Sequence, residues 1–238
     1  MSDLPEPSGA PAGPLAANVV PLRAPLAPAE APAVPPGVAA AAQPPAPRKR
    51  PRPGERRVQI LQTLASMLEQ PGAERITTAA LAARLQVSEA ALYRHFASKA
   101  QMFEGLIEFI ESSVFTLVNQ ITEREADGLA QARRITLVLL QFGEKNPGMV
   151  RVMVGDALVF EHERLIARMN QFFDRVEGQL RQSLRLAQAS DGAALPDAQA
   201  VASGLVALAM GRLQRYARSG FKRPPTEHLD AVLARLAA

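Results

Sequence analysis

The chain has 238 residues, 47% of them hydrophobic, and a formal net charge of +4. That is enough for one or two globular domains, and the absence of cysteine excludes a disulfide framework and a thiolate metal site. No apolar run reaches the length of about 18 residues that a membrane-spanning helix needs, and the start Met1-Ser2-Asp3 lacks the basic-then-apolar order of a secretory signal, so a cytoplasmic protein is expected.

Residues 1–47 hold thirteen of the twenty prolines and almost no aromatic or charged residues. Proline removes backbone donors and keeps the chain extended, so this stretch is expected to be a disordered Pro/Ala-rich tail. A basic run follows, Arg48-Lys49-Arg50-Pro51-Arg52, which reads as an arm adding phosphate or minor-groove contacts. From Arg48 to Lys99 ten Lys or Arg face four Glu, whereas sixteen basic and sixteen acidic residues cancel from Ala100 onward. The basic footprint therefore belongs to residues 48–99, as phosphate binding requires.

Between Gly54 and about Gln70, Val58, Ile60, Leu61, Leu64, Ala65, Met67 and Leu68 form the apolar face of an amphipathic helix, and Pro71-Gly72 ends it. Two short helices joined by a tight turn follow. Thr77 or Thr78 can cap the first, Gln86-Val87-Ser88 makes the turn, and Ser88 caps the second. Leu92 and Phe96, four residues apart, pack the second helix on the first. Its outward face carries Ala90, Ala91, Tyr93, Arg94 and His95. Small residues let a helix approach base edges, while Thr77, Tyr93, His95 and Lys99 are placed to hold phosphates. Residues 48–99 are thus expected to form a helix-turn-helix DNA-binding domain with a basic arm. Its DNA-binding residues are Arg50, Arg52, Arg57, Thr77, Thr78, Ser88, Ala90, Ala91, Tyr93, Arg94, His95 and Lys99.

The remaining residues, 100–238, read as a second helical domain. A long helix begins near Ser98 and runs to about Arg124. Leu106, Ile107, Ile110, Val114, Leu117, Val118 and Ile121 lie within about 60° of Phe103 on its wheel. Phe109 lies about 120° off that stripe, on the flank of Met102, and an aromatic there is either covered by a neighbouring helix or offered to a partner. Further helices are expected over Asp127–Glu144, Met149–Leu158, Glu161 to about Leu186, and Asp197–Gly220, with the strong turn Gly143-Glu144-Lys145-Asn146-Pro147-Gly148 after the first of them. Thr226 can cap a last helix ending at Leu236. No segment alternates long enough for a strand, so the fold class is all-α.

The string Ala91-Leu92-Tyr93-Arg94-His95-Phe96 with Lys99 resembles the DNA-binding signature of the TetR family. The wider run Val87 to Phe96, the stretch Phe103 to Glu111 and the turn before Pro147 resemble its nucleoid-occlusion, SlmA-type branch. One departure is Gln86, where the family usually has Gly; a left-handed Gln costs about 1 kcal/mol. The resemblance covers roughly residues 54–238. It implies an N-terminal three-helix domain and a C-terminal dimerisation domain. It also implies a nucleoid-associated homodimer that binds palindromic double-stranded DNA and antagonises assembly of the division protein FtsZ over the chromosome. The partner surface expected from it is Met102 and Phe109. The dimer is expected to form through the last long helices, about 161–186 and 197–220, and the apolar face Val201, Leu205, Leu208 and Ala209 is either its seam or intramolecular core.

Catalysis is not expected. His95, His162 and His228 fall in separate segments without metal-ligand spacing, and there is no phosphate loop or nucleophile elbow. Neighbouring Glu161, His162 and Glu163 point in different directions on a helix and read as a solvated face. No cofactor is expected. The alternative function is a TetR-family repressor released by a small molecule.

Overall fold

The computed structural model describes residues 54–70, 75–191 and 197–236. The expected tail, the basic arm with Arg50 and Arg52, the Pro71-Gly72 stop and most of the 190–196 loop lie outside the described residues. The elements are α1 (Glu55–Leu68), α2 (Thr78–Leu85), α3 (Glu89–Tyr93), α4 (Lys99–Arg124), α5 (Gly128–Lys145), α6 (Pro147–Met153), α7 (Glu163–Asp191), α8 (Ala198–Arg218) and α9 (Leu229–Leu236). No strand occurs among the described residues, so the expectation of an all-α fold holds there.

Helix α4 is the axis. Its first residue follows Ser98, whose hydroxyl accepts from the Gln101 amide at 3.2 Å and caps the helix. Phe103, Leu106, Ile107, Ile110, Val114, Leu117, Val118 and Ile121 are all buried, at the i, i+3, i+4 spacing of a core stripe. The short helices α1 and α2 pack together, with α3 against α2, and α1 also lies on α4 and α6. Beyond them α5, α7 and α8 pack against one another, with α4 closing the bundle on α5 and α7. Phe142 and Phe172 are fully buried in this body.

Three ion pairs tie α4 to α7 and to the residues just before it. Glu161 takes the ammonium of Lys99, Glu104 takes Arg164 at 2.8 Å, and Glu111 takes Arg168 through two nitrogens at 3.1 and 2.6 Å. The hydrogen bond to Glu111 raises Arg168 above its ordinary basicity, against the opposing effect of burial. Partly exposed pairs of this kind contribute about 1 kcal/mol or less each, so they set the register of α7 on α4, and the apolar stripe supplies the stability.

Several boundaries differ from expectation. The 149–158 helix starts earlier, with Pro147 at its first position, and stops at Met153. Gly155 at φ 85° breaks it, and a single 3-10 turn, Asp156–Leu158, follows. Helix α7 begins at Glu163 and continues to Asp191, past Leu186. Thr226 does not cap α9. Its hydroxyl donates to the Glu144 carboxylate instead, and His228 at φ 53° precedes the helix start at Leu229. Tyr216 donates to the Glu144 carbonyl at 3.4 Å, and burial pushes its phenol above the ordinary value. The ends of α5, α8 and the 219–228 loop are thereby joined.

The two halves of the molecule touch where Gly148 of α6 meets α1. A Cβ at Gly148 would stand 2.1 Å from the carbonyl oxygen of Ala65, a backbone atom that cannot rotate away. Gly148→Ala is therefore expected to destabilise the protein by about 2 kcal/mol or more, the range for overpacking. Thermal unfolding checks it: an unchanged midpoint would show that α6 is free to move off α1.

Candidate nucleic-acid interface

The interface is built on side-chain caps. Thr77 accepts the Ala80 amide at 3.1 Å and starts α2; of the two candidate threonines, it is the cap. Ser88 accepts the Ala91 amide at 3.3 Å and starts α3. Thr78 donates to the Glu89 carboxylate at 2.6 Å and so ties the first turns of α2 and α3 together. The turn between them is a Schellman closure. The Gln86 amide donates to the Ala83 carbonyl and the Val87 amide to the Ala82 carbonyl, both at 3.0 Å. Gln86 is left-handed, with φ 55° and ψ 46°, the conformation the usual glycine would adopt without strain.

Below this scaffold, Leu92 is buried and fixes the azimuth of α3, which ends at Tyr93; Arg94, His95 and Phe96, expected on the helix, follow it, Arg94 and His95 as a turn and Phe96 also buried. That leaves Ser88, Ala90, Tyr93, Arg94 and His95 exposed on one side, Tyr93 at 46%. Ala91 is half-buried beneath its cap, and Thr77 is exposed beside half-buried Thr78. Arg57 belongs to the same surface but has local duties. Its guanidinium donates to the His95 carbonyl at 2.9 Å and lies 4.1 Å over the Phe96 ring, clamping the end of α3 to α1. An exposed face of small, hydroxyl and basic side chains at the end of a rigid three-helix unit has the chemistry of a major-groove reader.

Lys99 stands apart from the expected arrangement. In place of a free phosphate holder, the structure has its ammonium paired with Glu161, 5.7 Å over the Phe103 ring, with a side chain only 26% exposed. Glu161 reads from sequence as part of a solvated face because its partner lies 62 residues earlier in the chain. Two further residues are missed by sequence reasoning. Phe160 is 67% exposed and Val159 63%, and the Arg75 guanidinium lies 6.0 Å from the Phe160 ring. The signal for them is an apolar pair following Gly155, where no helix continues to bury it.

Two other expected surfaces need correction. Met102 is fully buried and offers nothing to a partner, because α4 carries neighbours on more than one side. Phe109 is half-buried, its ring 6.0 Å from that of Phe142 on α5, so only an edge of it is available. In the expected dimer seam, Leu205 and Ala209 are buried within their own chain at 4% and 1% exposure, while Val201 and Leu208 are half-buried. That stripe of α8 is its core face.

Comparison with known proteins adds to this geometry. Residues 60–106 match the family described as bacterial regulatory proteins, tetR family, and residues 126–237 match the SlmA-like tetracyclin repressor-like C-terminal domain. The nucleoid occlusion factor SlmA of Photobacterium profundum is 52% identical over 177 residues, 74% of this chain and 90% of that protein. That of Aliivibrio fischeri (strain MJ11) is 52% identical over 190 residues, 79% and 97%. That of Escherichia coli O81 (strain ED1a) is 52% identical over 185 residues, 77% and 93%. Among solved structures, the TetR family regulator PfmR from Thermus thermophilus superposes with a TM-score of 0.64 at 20% identity, over 75% of this chain and 97% of that one. AibR, crystallised with isovaleryl coenzyme A and operator DNA, does so with a TM-score of 0.62 at 15% identity, over 76% and 98%. At these identities the superpositions show the fold alone.

The left-handed Gln86 gives a direct test of the turn. Gln86→Gly is expected to raise stability by about 1 kcal/mol by relieving the strain of a left-handed residue with a Cβ. A thermal or urea midpoint that stays put or falls would mean the turn is not held as described.

Proposed function

The chain belongs to the SlmA nucleoid occlusion factors of the TetR family, and from that membership we propose that it binds palindromic chromosomal sites as a two-fold dimer and, while bound, restrains FtsZ assembly so that no septum forms over the nucleoid. What supports this reading is a capped helix-turn-helix with an exposed reading face in a chain about half identical to those factors along nearly their whole length. No described helix is long and apolar enough to cross a membrane. Ser88, Ala90 and Ala91 approach base edges; Thr77, Tyr93, Arg94 and His95 hold the backbone, supported by Arg57, with Arg50 and Arg52 in the arm. The alternative, a repressor released by a small molecule, rests on fold likeness alone.

Two-fold operators call for a two-fold protein. The outer face of α8 suits that role better than the buried stripe. Ala200, Ser203, Gly204, Ala207, Met210 and Gly211 are exposed there, Met210 at 40%, and added Cβ atoms at Gly204 and Gly211 would meet nothing. Small residues without charge let two helices approach closely. Ala207→Glu is expected to leave the fold of each protomer intact, give a monomer by light scattering at micromolar concentration, and lose binding to two-half-site duplexes while retaining weak half-site binding. A dimer that survives this change would place the seam elsewhere. Leu205→Glu is not informative, since it puts a charge in the protomer's own core.

The partner surface is proposed at the open edge of Phe109, beside exposed Glu108 and Ser112. Half-burial against Phe142 makes truncation cost less than the about 3–5 kcal/mol of a fully buried Phe. Phe109→Ala is expected to cost about 1–2 kcal/mol in stability, keep DNA affinity, and lose the restraint on FtsZ polymers in sedimentation. A variant that melts early yet still restrains FtsZ would refute this surface.

A further inference from the structure

The ammonium of Lys99 carries a positive charge in the first turn of α4, the end of a helix where the aligned peptide dipoles already favour an anion. A bare cation there is misplaced. Glu161 supplies the anion: it is paired with Lys99 and its side chain is only 11% exposed. The pair lies immediately beyond the reading helix, since only Arg94 to Ser98 separate α3 from α4. A DNA phosphate reaching this point would find the lysine that holds Glu161, at a helix end whose dipole favours an anion.

We propose that Glu161 is a positioning residue for DNA binding, an internal counter-ion that occupies the phosphate place at Lys99 in the free protein and is displaced by the DNA backbone. The proposal rests on the DNA-binding reading above. Displacement has a structural consequence. Glu161 lies in the segment that begins at Asp156 and leads into α7, and this segment is strapped to the N-terminal helices by two cation contacts: Lys99 to Glu161, and Arg75 near the Phe160 ring. Arg75 stands two residues before Thr77, the cap of α2. Phosphates compete for both cations, so DNA binding loosens the strap and changes how the exposed Val159–Phe160 pair is held. The other pairs between α4 and α7, at Glu104 and Glu111, lie further along the helix and stay in place.

The test is a double-mutant cycle on the full chain, read as duplex affinity against salt. The probe is a mixed-sequence duplex of about three helical turns, because phosphate contacts do not depend on sequence. Glu161→Gln is expected to tighten binding by roughly twofold to fivefold, the worth of a partly exposed ion pair that no longer has to be broken, with the salt slope unchanged. Lys99→Ala is expected to weaken binding and lower the slope by about 0.9, one phosphate contact. In the double variant the tightening must vanish, so that it binds like Lys99→Ala alone. Glu163→Gln, on an exposed neighbour, controls for the general field and is expected to change little. Thermal midpoints confirm that each variant is folded; the amide introduced by Glu161→Gln keeps an oxygen to accept from Lys99. Tightening that persists without Lys99 would mean simple charge repulsion and overturn the proposal, as would an unchanged affinity in Glu161→Gln or a slope that rises in it. A wild-type chain with no salt-dependent duplex binding would instead remove the DNA-binding reading, and the proposal with it.

Discussion

One face of helix α4 is buried from Phe103 to Ile121, and both halves of the molecule are assembled on that stripe. Its first turns receive α1 and carry the end of the reading unit, and the rest of the helix packs against α5 and α7. A rigid rod shared in this way leaves few independent movements. Any force that DNA applies at Ser98 or Lys99 acts on the helix that also bears Phe109, about three turns further on. The close approach of Gly148 to Ala65 adds a second, shorter bridge between the halves. Communication between a DNA face and a distant partner face then needs no separate pathway; it needs only that the two ends of one buried helix be loaded differently in two states.

The reading unit is legible in the sequence because its determinants are local. The hydroxyl caps at Thr77 and Ser88 and the turn at Gln86 act over five residues or fewer and are found in the geometry expected of them, and Leu92 and Phe96 are both buried, although α3 ends at Tyr93, before Phe96. The long apolar stripe of α4 is legible for the same reason. What escapes is set by residues far apart in the chain. Met102 falls off the stripe defined by Phe103, yet it is buried because α4 has neighbours on several flanks. The stripe Val201, Leu205, Leu208 and Ala209 is apolar as expected, but an apolar stripe on a helix does not say whether its own chain or a second copy covers it. Thr226 has the chemistry of a cap and instead bonds Glu144, 82 residues away.

The same limit hides the pairing at Lys99. Lys99 reads from sequence as a phosphate holder, and Glu161 as one charge among many on a solvated face. Only the fold brings the two together. On the displacement proposed above, their pairing turns a simple phosphate contact into a competition, in which the net charge seen by DNA at this point differs between free and bound states.

DNA occupancy and restraint of FtsZ are, on this reading, functions of one molecule joined through α4. Sedimentation of FtsZ polymers with the wild-type chain, in the presence and absence of a duplex carrying the site it selects from a random pool, tests this most directly. Polymer mass is expected to fall when both protein and site duplex are present, and to fall much less with protein alone or with a duplex it does not bind. Equal loss of polymer with and without the site would contradict the coupling, and no loss under any condition would contradict the assignment of FtsZ as the partner.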